Sequence, residues 1–76
     1  MTPRMKPPAA DGARVRALRH AAGLTRDQLA YLAEIGTATV TRIENGHGRH
    51  NRTTIAAIAR VLDVDPADLL REAAPW

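Results

Sequence analysis

The sequence has no cysteine, no phenylalanine, one tyrosine and one tryptophan. Without cysteine there is no disulfide, no Cys-ligated zinc, no iron–sulfur cluster and no thiol catalysis. Small secreted domains generally depend on such staples, so their absence favours a reducing, cytoplasmic setting. The single Trp is residue 76, so a core built from this chain must be aliphatic. No stretch approaches the roughly 18 consecutive apolar residues that a membrane span requires. Met1 to Ala10 carries Arg4 and Lys6 and no apolar segment, which is not the pattern of a secretory leader. At 76 residues there is room for one small domain, not for a catalytic domain beside a binding domain.

What is present is small and aliphatic. Alanine contributes 15 residues, and Leu, Ile and Val together another 15, enough for one closely packed core. The formal net charge is +3, and its distribution is uneven. Gly12 to Arg26 holds four arginines and no acid. Arg42 to Arg52 holds Arg42, Arg49 and Arg52 with His47 and His50 against the single acid Glu44. From Asp63 to Glu72 the sign reverses, with Asp63, Asp65, Asp68 and Glu72 against Arg71. A basic front and an acidic end fit a polyanion partner, although an ordinary solvated surface gives similar counts.

The apolar pattern is helical throughout, with no period-two segment of strand length. The expected class is all-α, with five short helices. The first runs from about Asp11 to Ala22, with Asp11 as cap, Val15, Leu18 and Ala22 as its apolar face, and Gly23 as stop. Thr25-Arg-Asp-Gln28 is a capping box that opens the second helix, which ends near Ala33. Glu34-Ile35-Gly36 is a break, and a third helix spans Thr37 to about Glu44, stopped by Asn45-Gly46. Asn51 caps a fourth helix with the face Ile55, Ile58, Ala59 and Leu62, and Asp63 sits at a left-handed stop. Asp65-Pro-Ala-Asp68 opens a fifth, with Pro66 at the favoured first position and Leu69 and Leu70 as its apolar residues. The domain is expected over residues 11–72. Residues 1–10, with three prolines, read as a flexible arm, and residues 73–76 as a tail.

Arg26 to Asn45 is the informative window. Two helices of about eight residues flank a three-residue turn, as in a helix-turn-helix whose second helix enters the DNA major groove. Ala30 supplies a small residue where two steeply crossing helices come closest. Ile35 plugs the turn into the core, and Val40 and Ile43 give the second helix its inward face. Leu24-Thr-Arg-Asp-Gln-Leu-Ala30 followed by Val40-Thr-Arg-Ile-Glu-Asn-Gly46 resembles the lambda-repressor-like, or Xre/Cro, family of DNA-binding domains. The resemblance covers about Gly12 to Leu70, and Ile43-Glu-Asn-Gly46 is among its most recognisable pieces.

The resemblance implies roles at matching positions. Arg19 and Glu44 fall where the family forms a largely buried ion pair. Thr25 and Arg26 stand at the amino end of the second helix, which faces a DNA phosphate in the family, commonly with Gln where Arg26 stands. Helix-end amides and the dipole favour an anion there, and Arg26 adds a full charge. Asn45 matches a phosphate-bonding residue of phage repressors, and Arg49 and Arg52 can grip the same strand. The recognition helix offers Thr37, Ala38, Thr41 and Arg42 to base edges. Arg42 can bond O6 and N7 of guanine or reach a phosphate instead. Thr37 can donate to a base or touch a thymine methyl, Ala38 can make only apolar contact, and Thr41 can meet base or backbone. Glu34 departs from the family, which usually has Gly at this left-handed position, and a side chain there costs roughly 1–2 kcal/mol. Gly36 replaces the usual Ser or Thr cap of the third helix.

No nucleophile–base–acid set stands out, so no enzyme, cofactor or metal is expected. His47 and His50 lack a third ligand, and His20 reads as a surface residue. The sequence thus reads as a cytoplasmic, sequence-specific transcriptional regulator, a repressor that binds a pseudo-palindromic operator in double-stranded DNA as a homodimer. The dimer contact is expected from the fifth helix, through Leu69, Leu70 and Trp76. The rival readings are an antitoxin-type module that binds a protein partner and an architectural protein that binds DNA without sequence preference.

Overall fold

The computed structural model describes residues 10–47 and 50–70. Four α-helices follow in order: α1 (Gly12–Ala21), α2 (Arg26–Ala33), α3 (Thr37–Glu44) and α4 (Arg52–Leu62). Three of them start where a side chain satisfies a first-turn amide that has no partner within the helix. Asp11 accepts from the Arg14 amide at 3.1 Å, and Asn51 accepts from the Thr54 amide at 2.7 Å. At α2 both halves of the capping box form: the Gln28 amide donates to Thr25 at 3.0 Å, and the Thr25 amide donates to the Gln28 side chain at 2.8 Å. The exception is α3, whose cap residue Gly36 is extended and has no side chain to offer.

The fifth helix expected from the sequence is not an α-helix. Asp65 and Pro66 do open a turn, but Pro66–Leu69 is a single 3-10 turn, closed by bonds from Asp68 N to Asp65 O at 2.8 Å and from Leu70 N to Ala67 O at 3.2 Å. Leu70 is then extended and forms an antiparallel bridge with Ala10. The Asp11 amide also donates to the Leu69 carbonyl at 2.7 Å, so the two ends of the described segment are laced together. Ala10, placed by its sequence at the end of the arm, is half-buried against the core. The rest of the arm, the tail and Trp76 lie outside the described residues.

The core is aliphatic: Val15, Leu29, Val40, Ile43, Ile55, Ile58 and Leu69, with Ala30, Ala33 and Ala59 where helices approach closely. Ile35 packs against this cluster from the turn. Two expectations are corrected. Ala22 is exposed, because α1 ends one residue earlier. Leu69 is fully buried, so it serves the core and is not available as a dimer contact.

Backbone constraints explain residues that look anonymous in the sequence. Glu34 caps α2 in the left-handed conformation at φ 58°, so the turn does not bend another way to suit its side chain. Asp63 does the same after α4 at φ 57°. The stop after α3 is Gly46 alone, at φ 76°, while Asn45 remains right-handed. At Gly12 the first turn of α1 abuts the carboxyl end of α3. A Cβ there would lie 2.3 Å from the Ile43 carbonyl oxygen and 2.7 Å from that of Glu44.

These two sites should respond oppositely to substitution. Glu34→Gly relieves the left-handed strain and should stabilise the domain by about 1 kcal/mol, raising Tm by roughly 4–8 °C. Gly12→Ala improves helix propensity but must push two backbones apart, and should destabilise by about 1–3 kcal/mol. Thermal unfolding followed by circular dichroism reads both.

Candidate nucleic-acid interface

The carboxyl end of α3 carries Glu44, whose side chain is 0% exposed. A carboxylate there faces the negative end of the helix dipole and loses its water, so it needs cations. Arg19, from α1, supplies a two-pronged bond: Nε to Oε2 at 2.7 Å and Nη2 to Oε1 at 3.0 Å. Its remaining Nη1 donates to the Leu24 carbonyl at 2.8 Å, which ties the α1–α2 turn to the same centre. Arg26, from the first turn of α2, adds Nε to Oε1 at 3.2 Å. One buried carboxylate thus joins α1, α2 and α3.

Burial alone would raise the Glu44 pKa. The hydrogen bonds from Arg19 and Arg26, with their charges, outweigh it and hold the carboxyl below its ordinary value. The bond to Glu44 raises the Arg19 pKa further, against the opposing effect of burial.

Above this centre lies an open cleft of about 710 Å³ that brings together Arg19, His20, Thr25, Arg26, Asp27, Thr37 and Thr41. Helix geometry leaves the amides of Arg26 and Asp27 without an i−4 acceptor, and both stand at the positive end of α2. The cleft can therefore take an anion such as a phosphate oxygen. Arg26 contributes less freely than its sequence position implies. Its Nε is held by Glu44, and its side chain is 35% exposed. Thr37 also differs from expectation. Its hydroxyl donates to Asp27 Oδ1 at 2.8 Å, so its one proton is engaged and it is not free to donate to a base.

Arg42 stands apart from that cleft. With Thr39 it lines a smaller polar hollow against His50, Asn51 and Thr54 at the start of α4. His50 Nε2 donates to the His47 carbonyl at 3.0 Å, so the two histidines are linked through backbone. Ala38 is exposed on α3, Asn45 is exposed at its carboxyl end, and Arg52 is exposed in the first turn of α4. Arg49 lies outside the described residues. Among those described, no helix is long and apolar enough to cross a membrane.

Sequence reasoning missed Asp27, Thr39, Thr54 and the Arg26–Glu44 bond. Asp27 falls inside the capping box but takes no part in its bonds, and Thr39 and Thr54 belong to no motif. Thr39 lies on the recognition helix itself, and the crossing of α2 and α4 with α3 brings Asp27 and Thr54 beside it.

The frame and the site define a lambda-repressor-like helix-turn-helix domain, and the chain belongs to the helix-turn-helix domain family, whose model matches residues 12–73. Among known sequences it is 41% identical over 63 residues to an uncharacterised HTH-type transcriptional regulator, RghRB, of Bacillus subtilis (strain 168). That match takes in 82% of this chain but 45% of the relative, so this chain spans about half of that protein's length. Among solved structures it resembles the restriction-modification controller protein C.AhdI of Aeromonas hydrophila, with 34% identity, a TM-score of 0.73, and 76% of this chain and 88% of that one covered. The P22 c2 repressor, solved with a synthetic operator, shares the fold at 22% identity and TM-score 0.75, with 79% and 91% covered.

The ion-pair centre makes the fold sensitive to acid. Glu44 has a lowered folded-state pKa, so its contribution to stability is present above the ordinary value of 4.5 and is lost as pH falls through the folded value. The advantage of the wild type over Glu44→Gln should hold at neutral pH and shrink below about pH 4.5 in chemical denaturation. Arg19→Ala should cost about 3–5 kcal/mol at neutral pH, because it removes the main partner of a buried charge. Arg26→Ala, at a more exposed position, should cost under about 1 kcal/mol.

Proposed function

We propose that this domain is a cytoplasmic, DNA-binding transcriptional regulator that lays α3 in the major groove and represses from a pseudo-palindromic operator as a homodimer. The observation that carries this reading is the outer face of α3. Thr37, Ala38 and Arg42 are exposed and Thr41 is half-buried beside them, between two hollows edged by Arg26 and Arg42. Phosphates on either side of a groove would meet the amino ends of α2 and α4, where Arg26 and Arg52 stand. In this role Thr25, Arg26, Asn45, Arg49 and Arg52 hold the backbone. Thr37, Ala38, Thr41 and Arg42 meet base edges.

Several facts support the reading. The controller protein and the P22 repressor share this frame, and the latter was solved on an operator. Most of the reading side chains are short, so the helix must approach closely and much of the affinity must come from phosphate contacts. One such helix gives about four base contacts at about 1–3 kcal/mol each. A second copy on a matching half-site supplies the selectivity that one lacks.

Selection of bound DNA from a random duplex pool at physiological salt tests the proposal directly. The expected product is a pseudo-palindrome with half-sites about one helical turn apart. A single enriched half-site would exclude the dimer, and no enrichment by folded protein would exclude sequence-specific recognition. On the selected operator, Arg42→Ala should relax preference at one base pair. Arg26→Ala should weaken all sequences alike and flatten the salt dependence by about one unit.

A further inference from the structure

We propose that Asp27 is a specificity-determining positioning residue: by holding the Thr37 hydroxyl proton, it makes Thr37 an acceptor-only reader that selects adenine or cytosine over guanine or thymine. The inference rests on the DNA-binding reading above. It follows from one bond and the chemistry of the two groups. Thr37 is the first residue of α3, the end of a recognition helix that reaches deepest into a major groove. Its hydroxyl has one proton and two lone pairs. The proton goes to Asp27 Oδ1 at 2.8 Å, within the ordinary O–H···O range. A carboxylate is a stronger acceptor than a neutral base edge, so the bond is the preferred use of that proton.

What remains to face DNA is an oxygen that can only accept. In the major groove, adenine N6 and cytosine N4 donate, whereas guanine O6 and N7 and thymine O4 accept. The oxygen of Thr37 can bond the first pair. It meets the second lone pair to lone pair, with the Asp27 charge adding repulsion. Asp27 therefore need not touch a base to set which base is admitted, and it acts against the wrong bases as much as for the right ones. The bond has a structural side as well. It joins the first turn of α2 to the first residue of α3, whose cap Gly36 supplies no side-chain bond of its own.

The test is selection from a random duplex pool by the full chain and by Asp27→Ala, Thr37→Val and Thr37→Ser, with helicity and melting checked for each. For the wild type, one position per half-site should favour adenine or cytosine by roughly fivefold, the worth of one net hydrogen bond. Thr37→Ser keeps the hydroxyl and should keep that preference. Thr37→Val lacks it and should lose the preference at that position alone. Asp27→Ala frees the proton and should admit guanine and thymine there, with the rest of the operator unchanged. Three results would overturn the inference while leaving the DNA-binding reading intact. These are a wild-type preference for guanine or thymine at the position Thr37→Val alters, an Asp27→Ala operator identical to wild type, or a uniform loss at every position. No enrichment by the folded wild type would instead remove the DNA-binding reading, and this inference with it.

Discussion

The buried carboxylate of Glu44 is the constraint on which the arrangement of helices depends. A dehydrated charge at the negative end of a helix is tolerable only if cations are brought to it. Arg19 comes from α1 and Arg26 from α2, and Arg19 also holds the Leu24 carbonyl in the turn between them. Three helices and one turn are thus oriented by a single group. Hydrophobic burial makes the domain compact but has no direction of its own. A two-pronged guanidinium–carboxylate bond adds a fixed distance and plane. Gly12 belongs to the same junction, since its missing Cβ lets the amino end of α1 press against the last carbonyls of α3.

The recognition helix is held at both ends by different means. Its carboxyl end is fixed by charge inside the protein, through Glu44. Its amino end has no capping side chain and is tied from outside, through Thr37 and Asp27. Between the two, Val40 and Ile43 anchor it to the core. A helix of eight residues has little stability of its own. Its geometry is borrowed from its neighbours, and so is the direction in which its short polar side chains point.

The same arrangement limits what each arginine can do. Arg26 stands at the amino end of α2, where an anion is favoured, yet part of its guanidinium belongs to Glu44. It is therefore a pre-positioned charge with restricted reach. Arg42 has no such tether among the described residues and keeps its long side chain free beside α4. Strain appears where the turn must be tight. Glu34 takes a left-handed backbone that suits glycine, and the surrounding core, with Ile35 packed into it, enforces that conformation.

The sequence by itself determined the first four helices, the side-chain caps of three of them and the helix-turn-helix window. Those features are local: a cap three residues before its amide, an apolar face at three and four, a motif of two short helices. The Arg19–Glu44 pair spans 25 positions, and only the resemblance to a known family pointed to it. The segment that opens at Asp65-Pro66 reads as a fifth helix but forms a single 3-10 turn. Asp65 and Pro66 start a turn equally well for an α or a 3-10 path, and only the pairing of Leu70 with Ala10 decides between them. Tertiary structure alone decided that Leu69 faces the core, that Arg26 shares Glu44, that Gly12 touches α3, and that Asp27 holds Thr37. Each joins residues ten or more positions apart through the crossing angle of two helices, and a crossing angle has no period along the chain to be read.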